Sequence, residues 1–177
     1  MKPSPKAQFV ELPIPTSEGE FLARYSVKGL ARLQFPPAKA AGRKRRAAAP
    51  AADLPMTIRR WHRATTVALK RTLAGRPSRV LPPLDLSAGT AFQQKVWGAL
   101  QKIPRGETRS YGELARTVKN PQGCRAVGGA CGANPIPVLI PCHRVLAANH
   151  KLGGFSGGLD WKRKLLWREE SRELWKG

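Results

Sequence analysis

Negative charge is scarce in this 177-residue chain, in which 11 Asp and Glu residues stand against 32 Lys and Arg residues and give a formal net charge of +21. The scarcity is greatest between residues 21 and 84, where 15 basic residues accompany one acid, Asp53. Each phosphate that a cation neutralises releases a counterion, so this excess favours a polyanionic partner such as nucleic acid. General solubility and a genome-wide basic bias are the alternative explanations.

Cysteine and long apolar runs are scarce as well. The three cysteines, Cys124, Cys131 and Cys142, are odd in number and close in sequence, which argues against a structural disulfide framework. No apolar run approaches the ~20 residues of a membrane span, so no membrane partner is expected. The N-terminal "MKPSPKAQFVEL" lacks the apolar core of a signal peptide. We therefore expect the protein to stay where it is made, in the cytoplasm of a bacterium or archaeon or in the nucleus of a eukaryote.

The first half of the chain predicts a small α/β unit. Apolar alternation over residues 21–27 and a second extended run over 30–35 indicate a β-hairpin. Residues 36–55 are built from Ala, Pro and basic residues without an apolar period, which indicates a flexible insertion. Its "GRKRR" run fits a nuclear localisation signal, a phosphate-binding patch or a solvated charge run. A helix is predicted over 57–74 from the spacing of Ile58, Trp61, Thr65, Ala68 and Leu69.

The second half predicts short, well-punctuated helices. Thr90 with Gln93, and Ser110 with Glu113, form two capping-box patterns, each of which begins a helix. A third helix is predicted to begin with Asn120 as its N-cap and Pro121 at its first position. A last helix is predicted over 160–175, capped by Asp160.

The second and third of these helices, joined by a tight turn, are the outline of a helix-turn-helix. We therefore predict an α/β N-terminal domain over residues 1–84 and a mainly α C-terminal domain over 89–177 that contains a helix-turn-helix DNA-binding element.

The third helix has an unusual surface. Gly128 and Gly129 are consecutive, and each costs about 1 kcal/mol relative to alanine in a helix interior. With small neighbours on both sides, the helix is nearly bare except for Arg125. Such a helix could lie in a DNA groove and present the arginine as a probe. Close helix–helix packing is the alternative explanation.

The stretch "VLIPCHRVLAAN" places a thiol and an imidazole side by side, at Cys142 and His143. A zinc site is not expected, because no ligand pair has metal spacing, and the number and spacing of the cysteines argue against a disulfide. A passive buried cysteine competes with an activated nucleophile, whose pKa a neighbouring imidazole would lower. Activation needs a carboxylate that fixes the histidine tautomer. Composition does not choose among Glu107, Glu113, Asp160, Glu169, Glu170 and Glu173.

Three blocks of the chain closely resemble the O6-alkylguanine-DNA alkyltransferases: "GTAFQQKVWGALQKIPRGETRSYGELA", "RAVGGACGANPIPVLIPCHRV" and "GGFSGGLDWKRKLLWREE". The likeness runs from about residue 89 to 171 and is fainter over 16–36. Its most specific feature is Pro-Cys-His-Arg after an apolar strand, preceded eight residues earlier by asparagine. The resemblance implies a monomeric, single-turnover repair protein that needs no cofactor or metal. Such a protein flips O6-alkylguanine out of double-stranded DNA and moves the alkyl group onto its own cysteine.

The resemblance also implies the residues that carry the transfer. Cys142 is expected to accept the alkyl group, and His143 to act as the base through a water molecule. Glu169 is expected to orient the histidine. Asn134 is expected to brace the turn between the recognition helix and the cysteine loop.

DNA contacts follow from the same resemblance. Tyr111 is expected to help rotate the target phosphate and to donate a hydrogen bond to the departing guanine. Arg125 is expected to enter the stack where the base had been. Asn120, at the N-terminus of the recognition helix, is expected to meet a phosphate.

The chain departs from the family pattern at two positions. Phe155 stands where tyrosine is common, so donation to the guanine oxygen would rest on Ser156, and we expect slower transfer. Cys131 stands where some relatives carry a bulkier apolar residue, and we expect a small residue facing the groove. The family's zinc-binding variant uses N-terminal Cys and His residues, and the N-terminus here has no Cys, so no zinc is expected.

Two functions compete with alkyl transfer. Alkyltransferase-like recognition proteins bind such lesions but lack the cysteine, whereas this chain has Cys142. A basic regulator that uses only its helix-turn-helix would not need a reactive thiol. The preferred alkyl group and activity on O4-alkylthymine stay open.

Overall fold

The first folded element is a three-stranded antiparallel sheet in the order β1-β2-β3. The structure is a computed structural model that describes residues 9–37, 54–78 and 80–169. The strands are β1 (Val10–Thr16), β2 (Gly19–Tyr25) and β3 (Leu30–Gln34). The predicted hairpin is confirmed as β2 and β3. β1 was not predicted, because its prolines are atypical of a strand; they are tolerated here since β1 lies at the sheet edge and pairs only with β2.

The extended segment around Pro83 pairs with β3, at the edge of the sheet opposite β1. Leu30 donates its N–H to the Pro83 carbonyl at 2.8 Å, and Asp85 donates its N–H to the Leu30 carbonyl at 2.8 Å. A Cβ at Gly29 would lie 2.2 Å from the Pro83 oxygen, so this approach requires glycine. The turn-rich stretch before the second half therefore extends the sheet.

Helix α1 (Met56–Leu73) packs on the sheet and confirms the predicted helix. The apolar spacing seen in the sequence is its buried face, although Trp61 is only half-buried. The Tyr25 hydroxyl lies 3.1 Å from His62 Nδ1 and links the sheet to this helix.

The described part of the second half, up to residue 169, contains four α-helices: α2 (Ala91–Leu100), α3 (Tyr111–Thr117), α4 (Cys124–Gly132) and α5 (Leu159–Arg168). Both predicted capping boxes are present, at the starts of α2 and α3. A two-residue parallel ladder pairs β4 (Arg109–Ser110) with β5 (Val145–Leu146). Short 3-10 turns lie at Cys142–Arg144 and Ala148–His150.

Asn120 is not the N-cap of the recognition helix, as the sequence predicted. Helix α4 begins three residues after Pro121, with Gly123 as its N-cap. Asn120 instead closes α3: its N–H bonds to the Ala115 carbonyl at 2.9 Å, after Lys119 adopts a φ of 59°. This is the Schellman pattern of a helix C-terminus, so the residues after it form a turn before α4 can start.

Asp160 is not an N-cap either. Helix α5 begins at Leu159 after Gly158, whose φ of 88° suits glycine. Asp160 lies in the first turn, where a carboxylate complements the helix dipole, and it pairs with Arg163 at 3.1 Å. The predicted end of this helix at residue 175 lies outside the described residues.

The predicted fold class is confirmed: a small N-terminal α/β part and a mainly α C-terminal part with a helix-turn-helix made by α3 and α4. One cluster of buried side chains runs through both parts. Phe21, for example, contacts Trp161 with ring centroids 5.5 Å apart. The domain boundary stays a prediction, and most of the basic insertion, residues 38–53, lies outside the described residues. Among the described helices, none is long and apolar enough to cross a membrane.

Candidate active site

The loop between α4 and Cys142 is held by Asn134. The Asn134 Nδ2 donates to the Ile140 carbonyl at 2.8 Å and to Cys142 Sγ at 3.1 Å, and its Oδ1 accepts from the Ile136 N–H at 3.0 Å. Inside this loop Val138 is buried and has a φ of 74°, a strained conformation for a β-branched residue. The asparagine thus ties both ends of a strained turn to the thiol.

Cys142 lies in a nearly closed site. It follows Pro141 at the start of a short 3-10 turn and is 5% exposed. Burial raises the pKa of its thiol, and the Asn134 hydrogen bond and the nearby Lys162 charge only partly offset that rise. In the DNA-free protein the sulfur is therefore a neutral thiol that needs a base to react as thiolate.

A candidate base is next to it in sequence. His143 is fully buried, and its Nε2 lies 3.0 Å from Glu169 Oε1. Its Nδ1 is buried with no hydrogen-bond partner among the described residues. Burial lowers the pKa of His143, so the ring is neutral at pH 7. With the proton on Nε2, where it donates to the carboxylate, Nδ1 keeps a free lone pair.

Glu169 is held as an anion by two partners. Arg144 donates from Nε to Oε2 at 2.9 Å and from Nη2 to Oε1 at 2.8 Å, a bidentate pair that joins the contact from His143. Burial alone would raise the pKa of Glu169, but the hydrogen bonds from His143 and Arg144 outweigh it and lower that pKa to about 2. Arg144 also donates to the Ile103 carbonyl at 2.5 Å, which anchors the site to the turn that follows α2.

Lys162 is a further residue of the site, and the sequence alone did not point to it. Its side chain is fully buried, and its ammonium donates to the carbonyls of Val145 at 2.6 Å, of Leu152 and of Gly154 at 3.4 Å. Burial lowers the pKa of Lys162 to about 8, while the nearby Cys142 and Cys131 thiols raise it. A lysine on the inward face of α5, between Trp161 and Leu165, was the available signal.

Tyr111 begins α3 and faces the site from the side of the recognition helix. A Cβ built on Gly128 would lie 3.9 Å from its ring, and one on Gly153 would lie 3.4 Å from its hydroxyl. Burial, and then the nearby Cys131 and Cys142, raise the pKa of Tyr111 to about 12. The hydroxyl therefore keeps its proton and can donate a hydrogen bond across the physiological pH range.

Cys131 does not face a groove, as its sequence position had suggested. It is 6% exposed, and burial followed by the neighbouring Cys142 raises the pKa of its thiol to about 12. The reason is its position on the face of α4 that turns toward the cysteine loop, where its carbonyl accepts the Asn134 N–H at 3.3 Å.

Of the two proposed pocket residues, Phe155 lies beside the histidine ring. The half-buried Phe155 makes an edge contact with the His143 ring at 6.4 Å and with Phe35 at 5.7 Å between centroids. Ser156 is exposed. Phe155 thus forms an aromatic wall beside the base, as a residue lining an alkyl pocket would.

The proposed DNA-contact residues lie further out. Arg125 is exposed on α4, and Asn120 packs its half-buried side chain against Gly123 in the preceding turn. A Cβ at Gly129 or Gly132 would meet nothing within 4 Å. Close packing inside the molecule therefore does not explain the glycine at 129, and α4 presents a bare outer face. The helix is fixed from behind by Trp97, whose indole N–H donates to the Ala130 carbonyl at 2.8 Å.

Known proteins resemble this chain in sequence. The sequence profile of "6-O-methylguanine DNA methyltransferase, DNA binding domain" matches residues 91–171. Curated methylated-DNA–protein-cysteine methyltransferases of Haemophilus influenzae and Mycobacterium bovis are 54% and 57% identical over 89 residues, half of this chain. The chain spans about half the length of these relatives, 50% and 53%.

Solved structures extend the likeness to nearly the whole chain. An OGT of Mycobacterium tuberculosis, crystallised in complex with DNA, is 36% identical over 93% of each chain, with a TM-score of 0.72. An O6-methylguanine DNA methyltransferase of Methanococcus jannaschii is 27% identical, covers 90% of this chain and 93% of its own, and has a TM-score of 0.64. Fold and site together define a helix-turn-helix protein with a buried cysteine–histidine–glutamate arrangement at Cys142, His143 and Glu169. The chain belongs to the O6-methylguanine-DNA methyltransferase family.

Proposed function

We propose that this protein repairs DNA by direct reversal, as a methylated-DNA–[protein]-cysteine methyltransferase that acts once per molecule. The alkyl group on O6 of a guanine in duplex DNA would pass to Cys142 Sγ. The observation that carries the proposal is the buried Cys142–His143–Glu169 arrangement, with Asn134 on the sulfur, in a chain of this family. O6-alkylguanine as the lesion and monomeric action stay predictions from the resemblance, and a cytoplasmic location stays a prediction from the sequence.

The proton path follows from the histidine tautomer. Glu169 accepts a hydrogen bond from the Nε2–H of His143, so Nδ1 is the basic nitrogen of the ring. Nδ1 takes the Cys142 proton, directly or through a water molecule. The thiolate attacks the alkyl carbon, a carbon–sulfur bond forms and the carbon–oxygen bond to the guanine breaks. The electron pair leaves with the guanine, where a donated hydrogen bond stabilises it.

Two groups are placed to assist the departing guanine. Tyr111 is neutral, because its pKa is raised to about 12, and it lies on the side of the recognition helix from which a flipped base would enter. Ser156 is exposed beside Phe155 and offers a backbone N–H and a hydroxyl. Phe155 has no polar atom to donate, which supports the expectation of slow transfer.

DNA binding is proposed for the bare outer face of α4. Gly129 and Gly132 leave space that no part of the described molecule fills, and Arg125 extends from the same helix. A duplex backbone could approach this face closely, and Arg125 could fill the gap that a flipped base leaves. Asn120 would contact a phosphate from the turn before α4, rather than as a helix cap.

Stoichiometric transfer of a radiolabelled methyl group tests the proposal. A duplex with one O6-[methyl-³H]methylguanine should label the protein to one methyl per chain, and Cys142→Ala should remove the label. Cys124→Ala and Cys131→Ala are matched controls and should keep it. No label on the wild type, with retained binding to the lesion duplex, would favour the non-catalytic recognition protein.

A further inference from the structure

Helix α1 exposes cations and no acid. Five of its 18 residues are Lys or Arg, and none is Asp or Glu. At 100° per residue, exposed residues of α1 fall on one arc of the helix surface. We call four of them the α1 basic face: Arg60, Arg63, Lys70 and Arg71, all exposed. The rise from the first to the last is about 16 Å, long enough to face several phosphates.

The stability of the helix explains only part of this charge. Lys70 and Arg71 lie in the last turn and complement the dipole at the C-terminus. Arg60 and Arg63 lie outside that turn, the first turn holds no acid, and like charges three residues apart repel. Helix stability therefore does not explain Arg60 and Arg63.

Most of this charge is not neutralised within the part of the chain that the structure describes. Arg71 donates to the Pro77 carbonyl at 2.9 Å, whereas Arg60, Arg63 and Lys70 make no hydrogen bond or ion pair with a described residue. Lys70 also lines a surface cavity of about 640 Å³ with Thr16, Ser17 and Arg168. The hydroxyl groups of Thr16 and Ser17 are common phosphate ligands, whereas the Arg168 guanidinium is already paired with Glu18.

The face belongs to a different part of the molecule from α4. Helix α1 packs on β1 of the N-terminal sheet, whereas α4 packs on α2 and α3. Only Val67 and Met56 are exposed apolar side chains on α1, fewer than a helix needs to insert into a membrane interface. The chemistry thus favours a polyanion bound through its phosphates.

We propose that the α1 basic face is a second duplex-DNA-binding surface, which contacts phosphates without reading sequence. The proposal rests on the proposed function only for the identity of the polyanion. A second surface would increase the number of phosphates neutralised per bound protein, and so the salt dependence of binding. It would also raise affinity for undamaged DNA, on which a repair protein has to search.

The test is the salt dependence of binding to an undamaged 30-base-pair duplex. The variant Arg60→Gln/Arg63→Gln/Lys70→Gln should lower the slope of log K against log[salt] by about 0.9 for each phosphate that is no longer neutralised, or about 2–3 in total. The control Lys28→Gln/Arg32→Gln/Lys102→Gln removes equal charge from exposed positions on other elements and should change the slope by less than 1. Equal changes in both variants, or none in the first, would overturn the proposal.

Two further measurements separate the possible failures. Single-turnover transfer from free O6-benzylguanine needs no DNA surface and should be the same in wild type and both variants. If the wild type fails to react, the proposed function fails, while the salt slopes still decide the second surface. If only the triple variant loses transfer from O6-benzylguanine, it has misfolded, and the single variant Arg63→Gln replaces it in the test. Arg63→Gln alone should lower the salt slope by about 0.9. Loss of binding to phosphatidylserine vesicles with unchanged DNA slopes would assign the face to membranes and overturn the proposal.

Discussion

His143 Nε2 lies 3.0 Å from Glu169 Oε1, with both side chains buried and Arg144 bound to the same carboxylate. The contact joins residues 26 positions apart and fixes which imidazole nitrogen holds the proton. It also keeps the carboxylate ionised, because a buried anion with a cation and an imidazole N–H as donors is strongly favoured over its neutral form. The proposed reactivity of Cys142 would therefore depend on a carboxylate that is distant from it in sequence.

Glu169→Gln should impair both chemistry and folding. The amide cannot hold His143 in one tautomer or pair with Arg144, so we expect transfer from an O6-methylguanine duplex to slow by roughly 10²-fold. Leaving Arg144 unpaired should lower the free energy of unfolding by about 3 kcal/mol. Single-turnover kinetics and urea unfolding measure the two effects.

The control for that variant is Glu107→Gln. Glu107 forms an exposed ion pair with Arg109 at 2.7 Å, which should contribute less than about 1 kcal/mol. If the two variants lose equal rate and equal stability, Glu169 has no special role in the site.

Lys162→Met tests the buried lysine through pH. A lysine whose pKa is lowered on folding destabilises the protein below that pKa, and the penalty disappears as the pH rises from about 8 to the ordinary value of 10.5. The stability of the wild type relative to Lys162→Met should therefore increase across this interval, by about 3 kcal/mol at most. Urea unfolding of both proteins at pH 7.5, 9 and 10.5 measures it.

The difference between the two proteins is the informative quantity. The thiols of Cys131 and Cys142 have raised pKa values, so their ionisation in the unfolded chain lowers the stability of the protein over the same pH interval. Both thiols are present in both proteins, so their effects largely cancel in the difference. A difference that is constant with pH would mean that Lys162 is charged in the folded protein to the same extent as in the unfolded chain.

Gly129→Gln should separate folding from DNA binding. The position is in a helix interior with open space around it, so the substitution should stabilise the protein by about 0.5–1 kcal/mol. The added side chain would occupy the bare face of α4, and we expect duplex affinity to fall at least about tenfold, equivalent to 1.4 kcal/mol. Thermal unfolding and fluorescence anisotropy measure the two effects.

Gly98→Gln is the matched control for that experiment. Gly98 lies inside α2 with nothing within 4 Å of a built Cβ, so it should gain similar stability. Its DNA affinity should stay at the wild-type value. Equal affinity losses in both variants would show that α4 has no special place on the duplex.

Phe155→Tyr should accelerate transfer. The ring lies against His143, and a hydroxyl added to it would supply a donor for the guanine oxygen, which we expect to raise the single-turnover rate about tenfold. Phe35→Tyr adds the same hydroxyl to the neighbouring ring, 5.7 Å away between centroids, and should not accelerate it. An unchanged rate in Phe155→Tyr would mean that donation from this position does not limit the reaction.

Local signals predicted the parts of the fold that short-range physics decides. The capping boxes at Thr90 and Ser110 are formed by residues three apart, and both are present. The prediction of Asn120 as an N-cap was wrong because the end of α3 and the start of α4 compete for the same residues. Asn120 belongs to the Schellman turn that ends α3. Strand β1 was missed because its prolines are acceptable only at an edge, which sequence does not reveal.

The site was predictable only in part, because local sequence signals do not show which distant residues the fold brings together. Cys142 and His143 are adjacent in sequence, but the choice of Glu169 among six carboxylates came from the family resemblance. The position of Lys162 on the inward face of α5 was readable from its spacing, but its partners were not, because only the tertiary fold brings the carbonyls of residues 145, 152 and 154 to its ammonium.

Intact-mass spectrometry tests the central claim most directly. The protein is incubated with a duplex that contains one O6-methylguanine, and the modified peptide is then mapped, with Cys142→Ala as the control. The account predicts a single methyl-sized mass gain located on Cys142 and absent from the variant. No gain in the wild type, or a gain that persists in Cys142→Ala, would contradict it.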